Sequence, residues 1–297
     1  MQFDWLAWSN PVAIWWGFLL AVSTANIALW LVLHRYFRTR SPDRRFGPFR
    51  IELMVLLSAA YVFGCAFRSV LPRADIQRIC LFDTWLSSVL VGRSVATVAE
   101  ICFAIQWAIV IYQLARLTRS DTARNISIMI VPMIIVAECC SWYSVITTSY
   151  LGNTVENSIW MVTFLLIATA LLRLLNEFHG AARLAIGTAV IGIAGYVAFL
   201  VAVDVPMYFG RWQADLTNGR EFLGILAGLY DVSTRWAVTH DFEQWKDEIP
   251  WMSLYFSAAV WSSLALCGFA LVKHRLHRYR RRPASSPSTR RRVPVRI

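Results

Sequence analysis

Arg93, Thr97 and Glu100 are the residues whose types and spacing best support chemistry in this chain. They sit inside VGRSVATVAEICFAIQWAIVIYQLAR, an apolar run from Val91 to Arg116. Steps of four and three residues put all three on one helical face. Arg93 and Glu100 are about 10 Å apart along a helix axis, which is too far for a direct pair without distortion. A second apolar run, VPMIIVAECCSWYSVITTSY, carries Glu138. If the two runs are antiparallel neighbours, Arg93 lies about 10 Å deep, Glu138 about 15 Å and Glu100 about 21 Å. Glu138 then bridges the other two in one buried cluster.

Ionisable groups inside hydrocarbon are costly and commonly mark ligand sites or proton relays. Two carboxylates here share one guanidinium, which leaves room for a proton at the deeper Glu100. Arg93, nearer the surface, has the option of snorkelling. Two function classes follow. The first is binding or transport of a small anionic or amphipathic ligand, linked to protons, with Arg93 receiving an anionic group. The alternative is an intramembrane enzyme acting on a lipid or isoprenoid, with Glu100 or Glu138 as acid or base. No nucleophile or metal set accompanies the carboxylates, so the enzyme ranks second. Gln106, Asn157 and Asp204 are further candidates for the same cavity. Gln113, beside Gln106 in span three, and Trp160, beside Asn157 in span five, belong with them; Asn26, Ser58, Tyr61 and Tyr255 are weaker ones, and serine, asparagine and tyrosine in spans ordinarily make interhelical hydrogen bonds.

The elements that must position these groups are membrane spans. The chain has 297 residues, 57% of them hydrophobic and 16% charged, against roughly 25% charged in soluble domains. Apolar residues come in runs near the length that crosses a bilayer as a helix. The reading is an all-α bundle of seven spans: Pro11–Leu33, Ile51–Phe67, Leu86–Ala115, Ile126–Thr148, Ser158–Leu172, Leu184–Val205 and Trp251–Val272. Residues 1–272 form one domain, and 273–297 form a basic tail expected to be disordered and cytoplasmic. The first run lacks a preceding basic residue and is too long for a signal peptide core.

Arginine and lysine assign the sides. The loops after spans one, three and five, with the tail, carry 21 of them, and the other side carries seven. The positive-inside rule puts the N-terminus outside and the C-terminus inside. The expected location is a plasma membrane such as the bacterial inner membrane, with anionic lipid at the inner face as a partner. The net charge of +11 is explained by those loops, so nucleic acid is not an expected partner. Trp5, Trp8, Trp85, Trp212, Trp236, Trp245 and Trp251 fall near the outer boundary, where indoles anchor.

Between the last two spans lies an outer segment, 206–250. Within it, REFLGILAGLYDVSTRW places Phe222, Leu226, Leu229 and Trp236 near one helical face, as in an interfacial helix. His240, Asp241, Glu243, Asp247 and Glu248 cluster without a metal-ligand spacing, and no cofactor motif occurs. A retinal Schiff base would need a lysine well inside the last span, yet Lys273 stands at its extreme end. Cys65 and Cys80 flank one outer loop and are the pair that an oxidising compartment would bring into question as a disulfide.

Overall fold

The computed structural model describes residues 9–40 and 48–268. Among these, seven helical segments are long and apolar enough to cross a membrane: Pro11–Thr39, Ile51–Val70, Val89–Thr118, Asp121–Thr147, Tyr150–Leu175, Gly180–Thr217 and Ile249–Gly268. The all-α, seven-span architecture therefore stands. The basic tail, Trp5 and Trp8 lie outside the described residues.

The spans pack largely in chain order. Helices α1 (Pro11–Arg40), α2 (Pro48–Val70), α3 (Val89–Thr118), α4 (Asp121–Thr147), α5 (Tyr150–Leu175) and α6 (Gly180–Phe199) each pack on the next. Short connections favour this arrangement of sequential neighbours. Ser88 and Ser120 fix the starts of α3 and α4, their hydroxyls accepting from the Val91 and Ala123 amides. The last span opens with α10 (Ile249–Leu254) and packs on α1 and α2 through a π-turn at Tyr255–Ala259. Asn26 donates to the Phe256 carbonyl at 2.9 Å within that turn, and the Trp261 indole donates to Asn26. Such partners satisfy groups in the widened turn.

Most connecting structure gathers at one end of the bundle, called here the loop end. A three-stranded sheet forms there: β1 (Arg73–Ala74) pairs antiparallel with β2 (Ile79–Cys80), which pairs parallel with β3 (Ala237–Val238). Arg73 is buried and donates to Asp75 at 2.9 Å and to the Ser87 and Val89 carbonyls. Its guanidinium lies over Gly92, where a Cβ would come within 2.7 Å. Arg78 donates to Asp231 at 2.7 Å and to the Val145 carbonyl at 2.6 Å. Burial alone would raise the Asp75 carboxyl, but Arg73, Arg68 and Arg93 outweigh it and hold Asp75 at about 2. These arginines tie the loops to the spans.

Several expectations change here. Span six does not end at Val205. It passes through a π-turn at Leu200–Asp204 and continues as α7 (Val205–Thr217). Pro206 is tolerated because it falls in the first turn of α7, where a missing N–H costs little. The segment 206–250 is thus helical as far as Thr217. A helix does form within REFLGILAGLYDVSTRW as α8 (Ile225–Thr234), shorter than predicted, so Phe222 and Trp236 lie beyond its ends. Gly228 seats α8 against the Ile146 carbonyl, leaving Leu226 and Tyr230 exposed on the far face. Trp245 is no anchor: it is fully buried and packs on Trp15 at 5.4 Å. Cys65 and Cys80 are both buried, free thiols.

Candidate functional site

The cluster is built on α3, α4 and α5. The Arg93 Nη2 lies 2.8 Å from Glu138, 3.2 Å from Glu156 and 3.3 Å from Glu100. All four side chains are buried. Arg93 does pair with Glu100, contrary to the axial spacing. Long side chains close the gap: Glu100 leans toward the helix N-terminus, as helical side chains do, and Arg93 reaches down to meet it. Arg93 does not snorkel; three carboxylates hold it inside.

Each carboxylate is fixed by a further donor. Thr97 donates to Glu138 Oε2 at 2.6 Å, and the Trp142 indole donates to Thr97 at 3.1 Å. Asn153 Nδ2 donates to Glu156 Oε2 at 3.1 Å. The Tyr255 hydroxyl, presented by the π-turn of the last span, donates to Glu100 Oε1 at 2.7 Å. Glu138 Oε1 and Arg93 Nε are buried without a hydrogen-bond partner. Oxygens of Glu100, Glu138 and Glu156 lie within 4.8 Å of one another, a spacing that would suit a shared cation. Arg93 Nη2 already stands between them, so the chain supplies that cation itself. One positive charge faces three carboxylates, an imbalance that protons or a further bound cation would offset.

Glu156 was not among the sequence candidates. Span five starts at Tyr150, straight after a two-residue turn in which Thr148 takes φ 59°. Asn153, Thr154, Glu156 and Asn157 dilute the apolar signal there, so the span read as starting at Ser158. The available signal was helix periodicity continued one turn further back. Gly152 makes the register possible: a Cβ there would collide with the Cys140 carbonyl and come within 2.7 Å of the Ser144 Cβ. Gly152→Ala is expected to destabilise the protein by about 1–3 kcal/mol through overpacking. The same change should push Glu156 away from Glu138. Thermal unfolding of the purified variant checks this; unchanged stability would mean that α4 and α5 do not meet this closely.

The other candidates separate. Gln106 is not in the cluster. It donates to the Met54 carbonyl at 3.3 Å and accepts from Ser263 at 2.6 Å, joining α2, α3 and the last span. Ser58 joins that network through Ser263. Asn157, Trp160, Tyr61, Tyr255 and Asp204 line a cavity of about 960 Å³ that also touches Arg93, Glu100 and Glu156. The acidic group at 240–248 disperses: Asp241 caps a short helix, Glu243 pairs with Lys246, Asp247 with Arg211, and Glu248 with Arg211 and Gln77.

The chain was compared with protein-family models, curated proteins and solved structures. It matches none of them. Function must therefore be argued from the site itself.

The cavity is polar at the loop end and apolar below. Phe103, Trp107, Phe164, Leu171 and Ile193 form its deep walls. To its wall α6 contributes Leu184 and Gly192, and the last span contributes Leu254 and Trp261. Leu184 is 73% exposed and Trp261 54% exposed although both line the cavity. Residues of both spans thus line the cavity and also reach the surface of the protein.

Proposed function

We propose that this membrane protein binds an amphipathic small molecule that enters sideways from the bilayer, and moves or presents it in a proton-linked cycle. The observation that carries the reading is the cavity. It has wall residues on two spans that also reach the protein surface, apolar walls, and ionisable groups at one end. Small-molecule sites run about 300–1,000 Å³, so the volume suits a long-chain molecule better than an ion. Glu100 and Glu156 both face the cavity and both belong to the charge-imbalanced cluster, which gives ligand entry a way to shift protons. Arg93 is taken up by three carboxylates, so we assign it to holding the cluster rather than to receiving an anion. The arginine bias puts the loop end outside and the chain termini on opposite sides, which gives the polar end of the cavity an outward orientation.

Filling the cavity tests the reading. A Cβ at Gly192 meets nothing within 4 Å, so Gly192→Phe should occupy the space without disturbing packing. In lipid nanodiscs, ω-bromododecanol should quench a saturable part of the tryptophan fluorescence, because Trp107, Trp160 and Trp251 line the cavity. Gly192→Phe should abolish the saturable part at unchanged thermal stability. Quenching that persists in the variant would sink the cavity as the binding site.

A further inference from the structure

The cavity has five acidic residues in its wall: Asp75, Glu100, Glu156, Asp204 and Glu248. Four are accounted for by ion pairs. Asp75 pairs with Arg73, Glu100 and Glu156 with Arg93, and Glu248 with Arg211. Asp204 differs. It is 7% exposed, yet among the described residues it has no hydrogen bond and no ion pair. Arg211, two turns along the same helix, is spent on Asp247 and Glu248. The Asp204 oxygens are not among the fully enclosed unpartnered atoms, so the carboxylate opens on the cavity it lines, and chains that keep a carboxylate inside a membrane generally use it.

The backbone at Asp204 adds a second, independent observation. Asp204 is the last residue of the π-turn Leu200–Asp204. The last span, which lines the same cavity, carries its own π-turn at Tyr255–Ala259. Single π-turns inside long helices occur frequently at functional sites. Both helices therefore break register, one presenting Asp204 to the cavity and the other Tyr255.

We infer that Asp204 receives the head group of the ligand, and that this head is a protonated amine on a long alkyl chain. The inference rests on the cavity being the binding site. A carboxylate with no cation of its own calls for a cationic donor, and an ammonium supplies both charge and hydrogen bonds. An anionic head placed at Asp204 would meet a like charge, and like charges at close range repel; the arginines in the same lining are already engaged, Arg68 by Asp75 and Arg93 by Glu100, Glu138 and Glu156. Trp251, Tyr196 and Tyr208 also line the cavity and offer aromatic faces to a cation. The alkyl chain then lies along Phe103, Trp107 and Phe164, and leaves between α6 and the last span.

The test uses three bromine-tagged probes of equal length on the full-length protein in nanodiscs: ω-bromododecylammonium, ω-bromododecanol and ω-bromododecanoate. The ammonium should bind at least tenfold more tightly than the alcohol, and the carboxylate more weakly than either. Asp204→Asn should erase the advantage of the ammonium while leaving alcohol binding intact, and Asp204→Glu should keep most of it. Equal binding of ammonium and alcohol in the native protein, with Gly192→Phe blocking both, would overturn the head-group inference and leave the cavity standing. Loss of alcohol and ammonium binding together in Asp204→Asn would make Asp204 structural and overturn it as well. No saturable binding of any probe would defeat the cavity reading too.

Discussion

Arg93→Ala is expected to lose about 3–5 kcal/mol of stability at pH 9 and much less at pH 5. The residue is buried, and its Nη2 lies within 3.3 Å of three carboxylates. Deleting one member of a buried ion pair leaves its partner charged and unsolvated, at about that cost. Here three partners are stranded at once, but each can take a proton and remove its charge. The sign follows: ionised carboxylates cost most at high pH, and acid rescues the variant. Arg93→Lys keeps the charge on a compact ammonium that lacks the planar fork, so it should fall between the two. Thermal unfolding of the purified variants from pH 5 to pH 9 reads the effect. An equal loss at both ends of that range would assign Arg93 to packing rather than to charge.

What the sequence disclosed about this cluster, and what it hid, has a physical basis. Arg93, Thr97, Glu100 and Glu138 were legible because helix periodicity and an antiparallel neighbour suffice to bring them together. The direct Arg93–Glu100 contact was not, because axial spacing counts backbones and ignores the reach of two long side chains. Glu156 was hidden for a different reason. Hydropathy marks where a helix touches lipid, whereas Tyr150–Asn157 touches protein and the cavity, so the polar first turns of α5 looked like loop. The same logic hid α7. Span six was cut at Val205 because Asp204 and Pro206 ordinarily end a helix, and a π-turn let this one continue. Tyr255 ranked low because a span tyrosine usually bonds a neighbouring helix. That expectation holds here too, but its partner is Glu100.

The last prediction is a series of charge removals whose effects should be far from additive. The cluster holds one guanidinium and three carboxylates, so the first two neutral substitutions bring it toward balance. Glu100→Gln should be nearly silent, since its amide oxygen faces Arg93 and its amide nitrogen meets the Tyr255 hydroxyl, which can accept as well as donate. Adding Glu156→Gln sacrifices the bond from Asn153, worth about 0.5–1.5 kcal/mol. The double variant then keeps a one-to-one pair of Arg93 with Glu138 at 2.8 Å, still buttressed by Thr97. Replacing Glu138 as well strands the guanidinium and should cost a further 3–5 kcal/mol or about that. The third step should thus exceed the first two combined, the signature of groups that share one balance rather than act singly. Unfolding midpoints of the single, double and triple variants measure it. Three equal steps would mean that the carboxylates do not share Arg93. The pH coupling of ligand release that runs through the cluster should be lost in the double variant while binding itself survives, because Glu100 and Glu156 no longer exchange protons; what pH dependence remains then belongs to Asp204.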